Sequence, residues 1–92
     1  MMNTTDFEAS LASEGYDEVL TREMEPGKYI GEHDHPFDAR IMVLDGEISL
    51  TVDGDVTIYR EGDTCTMAAG RRHVEAVGPE GVKLLIGRRQ PA

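Results

Sequence analysis

Residues 47–60 read EISLTVDGDVTIYR, and this stretch decides the fold class. Ile48, Leu50 and Val52 alternate with Ser49 and Thr51, the period-two pattern of a strand with one face buried. Asp53-Gly54 follows as a two-residue turn, because a type I′ hairpin needs positive φ at both central positions and Asp-Gly supplies it. DVTIYR then runs back beside the first strand. Outward from this hairpin the same grammar repeats. EVLTREME and GKYIGEH read as strands joined through Pro26-Gly27, and ARIMVL is closed by a turn at Asp45-Gly46. EGD turns into TCTMA, Gly70 precedes RHVEAV, and Gly78-Pro79-Glu80-Gly81 turns the chain into VKLLIG. Turn signals recur about every eight to ten residues, the spacing of a β-sandwich or barrel. No long helical pattern intervenes, which excludes a parallel βαβ sheet. The expected fold class is all-β.

The first residues follow a different period. Thr4, Thr5 and Asp6 offer helix N-cap oxygens, Phe7 and Leu11 share one helical face, and Gly15 ends the pattern. The reading is an N-terminal helical segment over 1–16 followed by a barrel over 17–92. One strand, Ile41-Met42-Val43-Leu44, is apolar on both faces and needs cover on both. The barrel interior serves one face. The N-terminal helix or a second subunit serves the other.

Composition bounds the partners. A chain of 92 residues makes one domain with a small core, and a second copy would help it bury surface. The formal charge of −9 argues against nucleic acid and anionic membrane surfaces. One cysteine allows no internal disulfide, there is no apolar leader at the N-terminus, and no apolar run is long enough to span a bilayer. A cytoplasmic location is the expectation.

The chemistry concentrates in three histidines. In a strand, residues two apart project to the same side about 7 Å apart. His33 and His35 therefore present two imidazoles to one face, and His73, after the Gly70 turn, could approach from a facing strand. Three neutral imidazoles around an open position suit zinc, iron, nickel, copper or manganese. The competing reading is three hydrogen-bonded or surface histidines with no shared role.

The spacing around them is more specific. Residues 27–46, GKYIGEHDHPFDARIMVLDG, resemble the first cupin motif, G-x5-H-x-H-x3,4-E-x6-G, with Gly27, His33, His35 and Gly46 in place. Residues 62–77, GDTCTMAAGRRHVEAV, resemble the second, G-x5-P-x-G-x2-H-x3-N, with Gly62, Gly70 and His73 in place. All three histidines fall on ligand positions of the motifs. The resemblance implies an antiparallel jelly-roll barrel of about six to eight strands, a divalent metal (Fe, Zn, Ni or Mn) in its mouth, a small-molecule ligand and frequent homodimers.

The chain departs from the pattern at Ala68, at Val77 and, most importantly, at the glutamate. That position falls on Ala39, or on Arg40 with the longer spacing, and neither can be an anionic ligand. The site is then a three-histidine site, or another carboxylate replaces the missing one, or it holds no metal. Glu75 shares a strand face with His73 and is the tentative catalytic residue, as proton handler or replacement ligand; its other reading is a rim carboxylate paired with Arg40 or Arg72. Asp38 could also turn in, although an acidic residue in a Pro-containing turn needs no special explanation. Cys65 and Met67 read as inner-face residues, Tyr29 and Phe37 as pocket-lining candidates on strand parity, and Arg71, Arg72, Arg88 and Arg89 as relief for an acidic surface. Two functions follow: a metal-dependent enzyme acting on a small oxygenated or thiol-bearing metabolite by dioxygenase- or isomerase-like chemistry, or a non-catalytic metal- or ligand-binding module. A metal-free structural dimer ranks below both.

Overall fold

A computed structural model describes residues 3–91; residues 1, 2 and 92 of the expected segments 1–16 and 17–92 lie outside the described residues. The elements run α1 (Thr4–Ser13), β1 (Glu18–Met24), β2 (Tyr29–His33), β3 (Asp38–Val52), β4 (Asp55–Arg60), β5 (Thr64–Met67) and β6 (His73–Arg89). Every strand pairing is antiparallel. The Asp53-Gly54 turn takes positive φ at both residues, 50° and 82°, as the type I′ hairpin between β3 and β4 requires.

Two long strands organise the molecule, and here the structure differs from the sequence reading. Asp45-Gly46 and Gly78–Gly81 are not turns between separate strands. They are irregularities inside the 15-residue β3 and the 17-residue β6, which pair along most of their length. The register of β3 against β6 shifts between Val43 and Asp45 and again between Gly46 and Ile48. Gly46 has φ +79°, and a Cβ there would collide with the backbone of Gly81, so only glycine fits where the two bends meet. On one side of the bends β1 and β5 flank the pair, and on the other side β2 and β4 do. The sheet folds over on itself as a jelly-roll barrel. The bulges also switch the inward parity of β3 from Ala39 and Val43 to Ile48 and Leu50, all of which join one interior cluster with Met24, Val77, Leu84 and Ile86.

The outer face of Met42 and Leu44 is covered by α1, not left for a second subunit. Phe7 and Leu11 are fully buried there with Tyr16 and Leu85. Leu11 lies directly over Gly87, where an added Cβ would come within 2.6 Å of its Cδ2. Arg40 reaches the same helix from the outer face, donating to Ser10 Oγ at 3.0 Å and pairing with Glu14 at 3.3 Å. The helix cap is Asn3, not Thr4, Thr5 or Asp6: its Oδ1 accepts the Asp6 N–H at 2.8 Å, while the two threonines are already helical. Among the described residues no helix is long and apolar enough to cross a membrane.

Candidate metal centre

The barrel brings His33, His35, His73 and Glu75 together, with one candidate donor atom from each lying within 4.8 Å of all the others. His33 and His73 are register partners on the neighbouring strands β2 and β6, so His73 reaches the group from beside His33 and not from a facing strand. Glu75 follows on the same face of β6. His35 lies just past the end of β2, where its carbonyl accepts the Gly70 N–H at 2.9 Å and its ring stacks on Phe37 with centroids 5.1 Å apart. His73 is buried, and the other three are partly buried.

The outer ring nitrogens are fixed by backbone. His33 Nδ1–H donates to the Gly31 carbonyl at 2.7 Å, and His73 Nδ1–H donates to the Arg71 carbonyl at 2.9 Å. A carbonyl only accepts, so in the neutral rings Nδ1 carries the proton and Nε2 carries a lone pair. The Nε2 atoms of all three histidines converge on Glu75 Oε2, at 2.9 Å from His33, 3.1 Å from His73 and 4.0 Å from His35. Lone pairs aimed at a carboxylate oxygen repel unless a cation stands among them, either a proton or a metal ion. Nδ1–H held by backbone with Nε2 turned inward is the usual arrangement of histidines that bind metal. Burial, with the charges of His33 and His73, lowers the pKa of His35, which keeps its ring neutral and able to coordinate.

The other residues singled out in the sequence fall in different places. Tyr29 points outward and is 69% exposed, because a register shift between Ile30 and His33 reverses the parity that would have placed it beside His33. Phe37 does line the interior. Asp38 is turned away from the cluster, accepting the Ala69 N–H at 2.8 Å and Arg89 Nε–H at 3.1 Å. Arg40 pairs with Glu14, and Arg72 with Glu32 and Asp34, so neither neutralises Glu75. Cys65 and Met67 face inward, and burial pushes the Cys65 thiol up to about 11.

A mostly apolar cavity of about 50 Å³ runs between the folded halves of the sheet and shares walls with His35, His73 and Glu75. Its remaining lining contains one residue misread from sequence. Arg88 does not belong to the outer surface: it follows Leu84 and Ile86 on the inward face of β6 and pairs in register with Ala39. Its guanidinium lies 4.5 Å from the Phe37 ring centroid, Nη1 donates to Glu18 at 3.1 Å, and Nε is buried with no hydrogen-bond partner among the described residues. A buried donor left unpaired costs about 1–3 kcal/mol. The signal was present in VKLLIGRR, where the alternation of Leu84 and Ile86 continues onto Arg88.

A family model described as a cupin domain (Cupin_2) matches residues 20–86, more than half of the chain. None of the curated proteins matches it. Among solved structures, a Rhizobium leguminosarum protein of unknown function superposes with a TM-score of 0.75 at 19% identity, covering 79% of this chain and 69% of that one. A cupin superfamily protein from Desulfitobacterium hafniense gives 0.67 at 19% identity over 82% and 80% of the two chains. A cupin-2 domain protein from Shewanella frigidimarina gives 0.65 at 16% identity over 79% and 69%. At these identities the likeness is one of fold.

Proposed function

This chain belongs to the cupin domain family, and from that premise we propose that it holds one divalent transition metal through His33, His35 and His73, and that a small metabolite binds beside the metal in the barrel interior. The observation that carries this reading is the inward aim of unprotonated Nε2 atoms whose opposite nitrogens are tied to the Gly31 and Arg71 carbonyls. Glu75 serves as the fourth donor, standing in for the carboxylate missing at Ala39. Imidazole and carboxylate together suit Fe, Zn, Ni or Mn. A bound ion of this kind supplies Lewis acidity to a ligand oxygen or thiolate. The chain's own contribution is to hold His33 and His73 in one tautomer, to balance charge through Glu75, and to limit water with apolar walls.

The test is metal analysis of protein purified without chelator, alongside His33→Ala and His73→Ala. About one ion per chain in the parent and loss of it in both variants is the expected result; failure of the parent to retain any of the four metals after dialysis would overturn the reading. The same donor set would serve a non-catalytic module. Ferrous reconstitution followed by oxygen uptake over a metabolite panel separates that reading from an oxygen-using enzyme.

A further inference from the structure

The motif position expected to carry a metal-binding carboxylate is Ala39, and the residue paired directly across from it is Arg88, pointing into the same interior. An anion is thus absent where one was expected, and a cation stands beside that position. Arg88 also has directional capacity to spare. Glu18 takes Nη1, while the buried Nε has no partner among the described residues. The guanidinium rests on Phe37, whose ring stacks in turn on His35, so one aromatic side chain joins Arg88 to the histidine cluster.

We propose that Arg88 is a specificity-determining residue that takes the carboxylate of a small acid, whose other polar end lies at the His33/His35/His73 cluster. The proposal rests on the reading of this interior as a ligand site, and adds the class of ligand. A carboxylate fits the geometry because the Nε side of a guanidinium presents parallel donors to a planar acceptor pair. It fits the charge because Arg88 is a cation set in the interior wall opposite Ala39, and a ligand carboxylate complements it. It fits the cavity because most of the remaining walls are apolar, with Arg22 a second cation among the lining residues, and the volume is small, which favours a short-chain acid over a long or bulky one.

The pair with Glu18 offers a competing explanation, in which Arg88 only ties β6 to β1. Three proteins separate the two: the parent, Arg88→Met and Glu18→Gln, each checked for folding by circular dichroism and for metal content. The probes are lactate, pyruvate, propionate and 2-hydroxybutyrate, with lactamide as the neutral control, followed by calorimetry on metal-loaded protein. At least one acid should bind the parent and Glu18→Gln alike, weaken about tenfold or more in Arg88→Met, and outcompete lactamide. Equal binding of lactamide, unchanged affinity in Arg88→Met, or no binding by any of the four acids would overturn the proposal. If Arg88→Met fails to fold, Arg88→Lys takes its place, since a lysine keeps the charge but loses the fork and should still weaken the acid. Metal content reports on the metal reading separately: a parent that retains none of the four metals after dialysis yet binds an acid through Arg88 would leave this proposal standing and remove the other.

Discussion

Asp38 could have turned in toward the histidine cluster, but the simpler reading, an ordinary carboxylate beside a Pro-containing loop, is the one the structure shows. Its carboxylate accepts the Ala69 N–H and then the Arg89 side chain, which together hold it below the ordinary carboxylate range. These bonds fasten the segment before His73 to the start of β3. A carboxyl with a lowered native pKa contributes stability that is fully present above its unfolded value of about 3.9 and is lost as pH falls through the native value. Thermal melts from pH 6 to pH 2 should therefore show a shallower acid decline in Asp38→Asn than in the parent; parallel curves would mean the bonds contribute nothing. The sequence exposed the histidines because their spacing is fixed by strand geometry. It could not place Asp38, because a carboxylate next to Pro36-Phe37 can satisfy any nearby N–H, and the choice of Ala69 depends on a loop 31 residues away.

At the level of elements, the alternation of EISLTV and the Asp-Gly turn were enough to specify β3, β4 and their hairpin, since both signals are local. The bends at Gly46 and Gly81 were read as turns because a positive-φ glycine looks the same in a hairpin and in a bulge. Only the partner strand, which continues past both, distinguishes the two. Tyr29 failed for the same reason, since one extra residue in β2 reverses parity and leaves no mark in composition. Helix α1 was legible as an amphipathic segment, and its partner was foreshadowed by the doubly apolar IMVL. Leu11 is fully buried against the outside of the sheet, remote in role from the histidines. Leu11→Ala should cost about 2–5 kcal/mol in urea unfolding while leaving metal content unchanged. Loss of metal alongside stability would show that the helix also shapes the interior.

For the whole molecule, the cluster spans β2, β6 and the residue just past β2 that bonds to Gly70, so a metal held there would cross-link segments distant in sequence. A ligand that binds only the folded state stabilises it by about 2.7 kcal/mol when free ligand is 100 times Kd. Chelation of metal-loaded protein should lower Tm, and His73→Ala should remove the difference. Proton competition sets the pH limit. Imidazoles coordinate only when neutral, so retention should fall as pH drops below about 6. Equilibrium dialysis across that range checks this, and retention at about pH 4.5, where carboxylates still ionise, would show that carboxylates and not imidazoles dominate the binding.

The pairing of β1 with β6, which sets Glu18 beside Arg88, also governs the order of events as the chain folds. The β3–β4 hairpin closes locally, whereas β6 must find β2 and β1 across most of the sequence, and such distant pairings are slow to form. His33 and His73 meet only when that late step is complete. Metal should then act on one limb of a chevron plot, slowing unfolding and leaving the refolding rate unchanged, because its ligands are not yet assembled at the barrier. A faster refolding limb with metal would mean that the histidines gather early and help to guide the barrel shut.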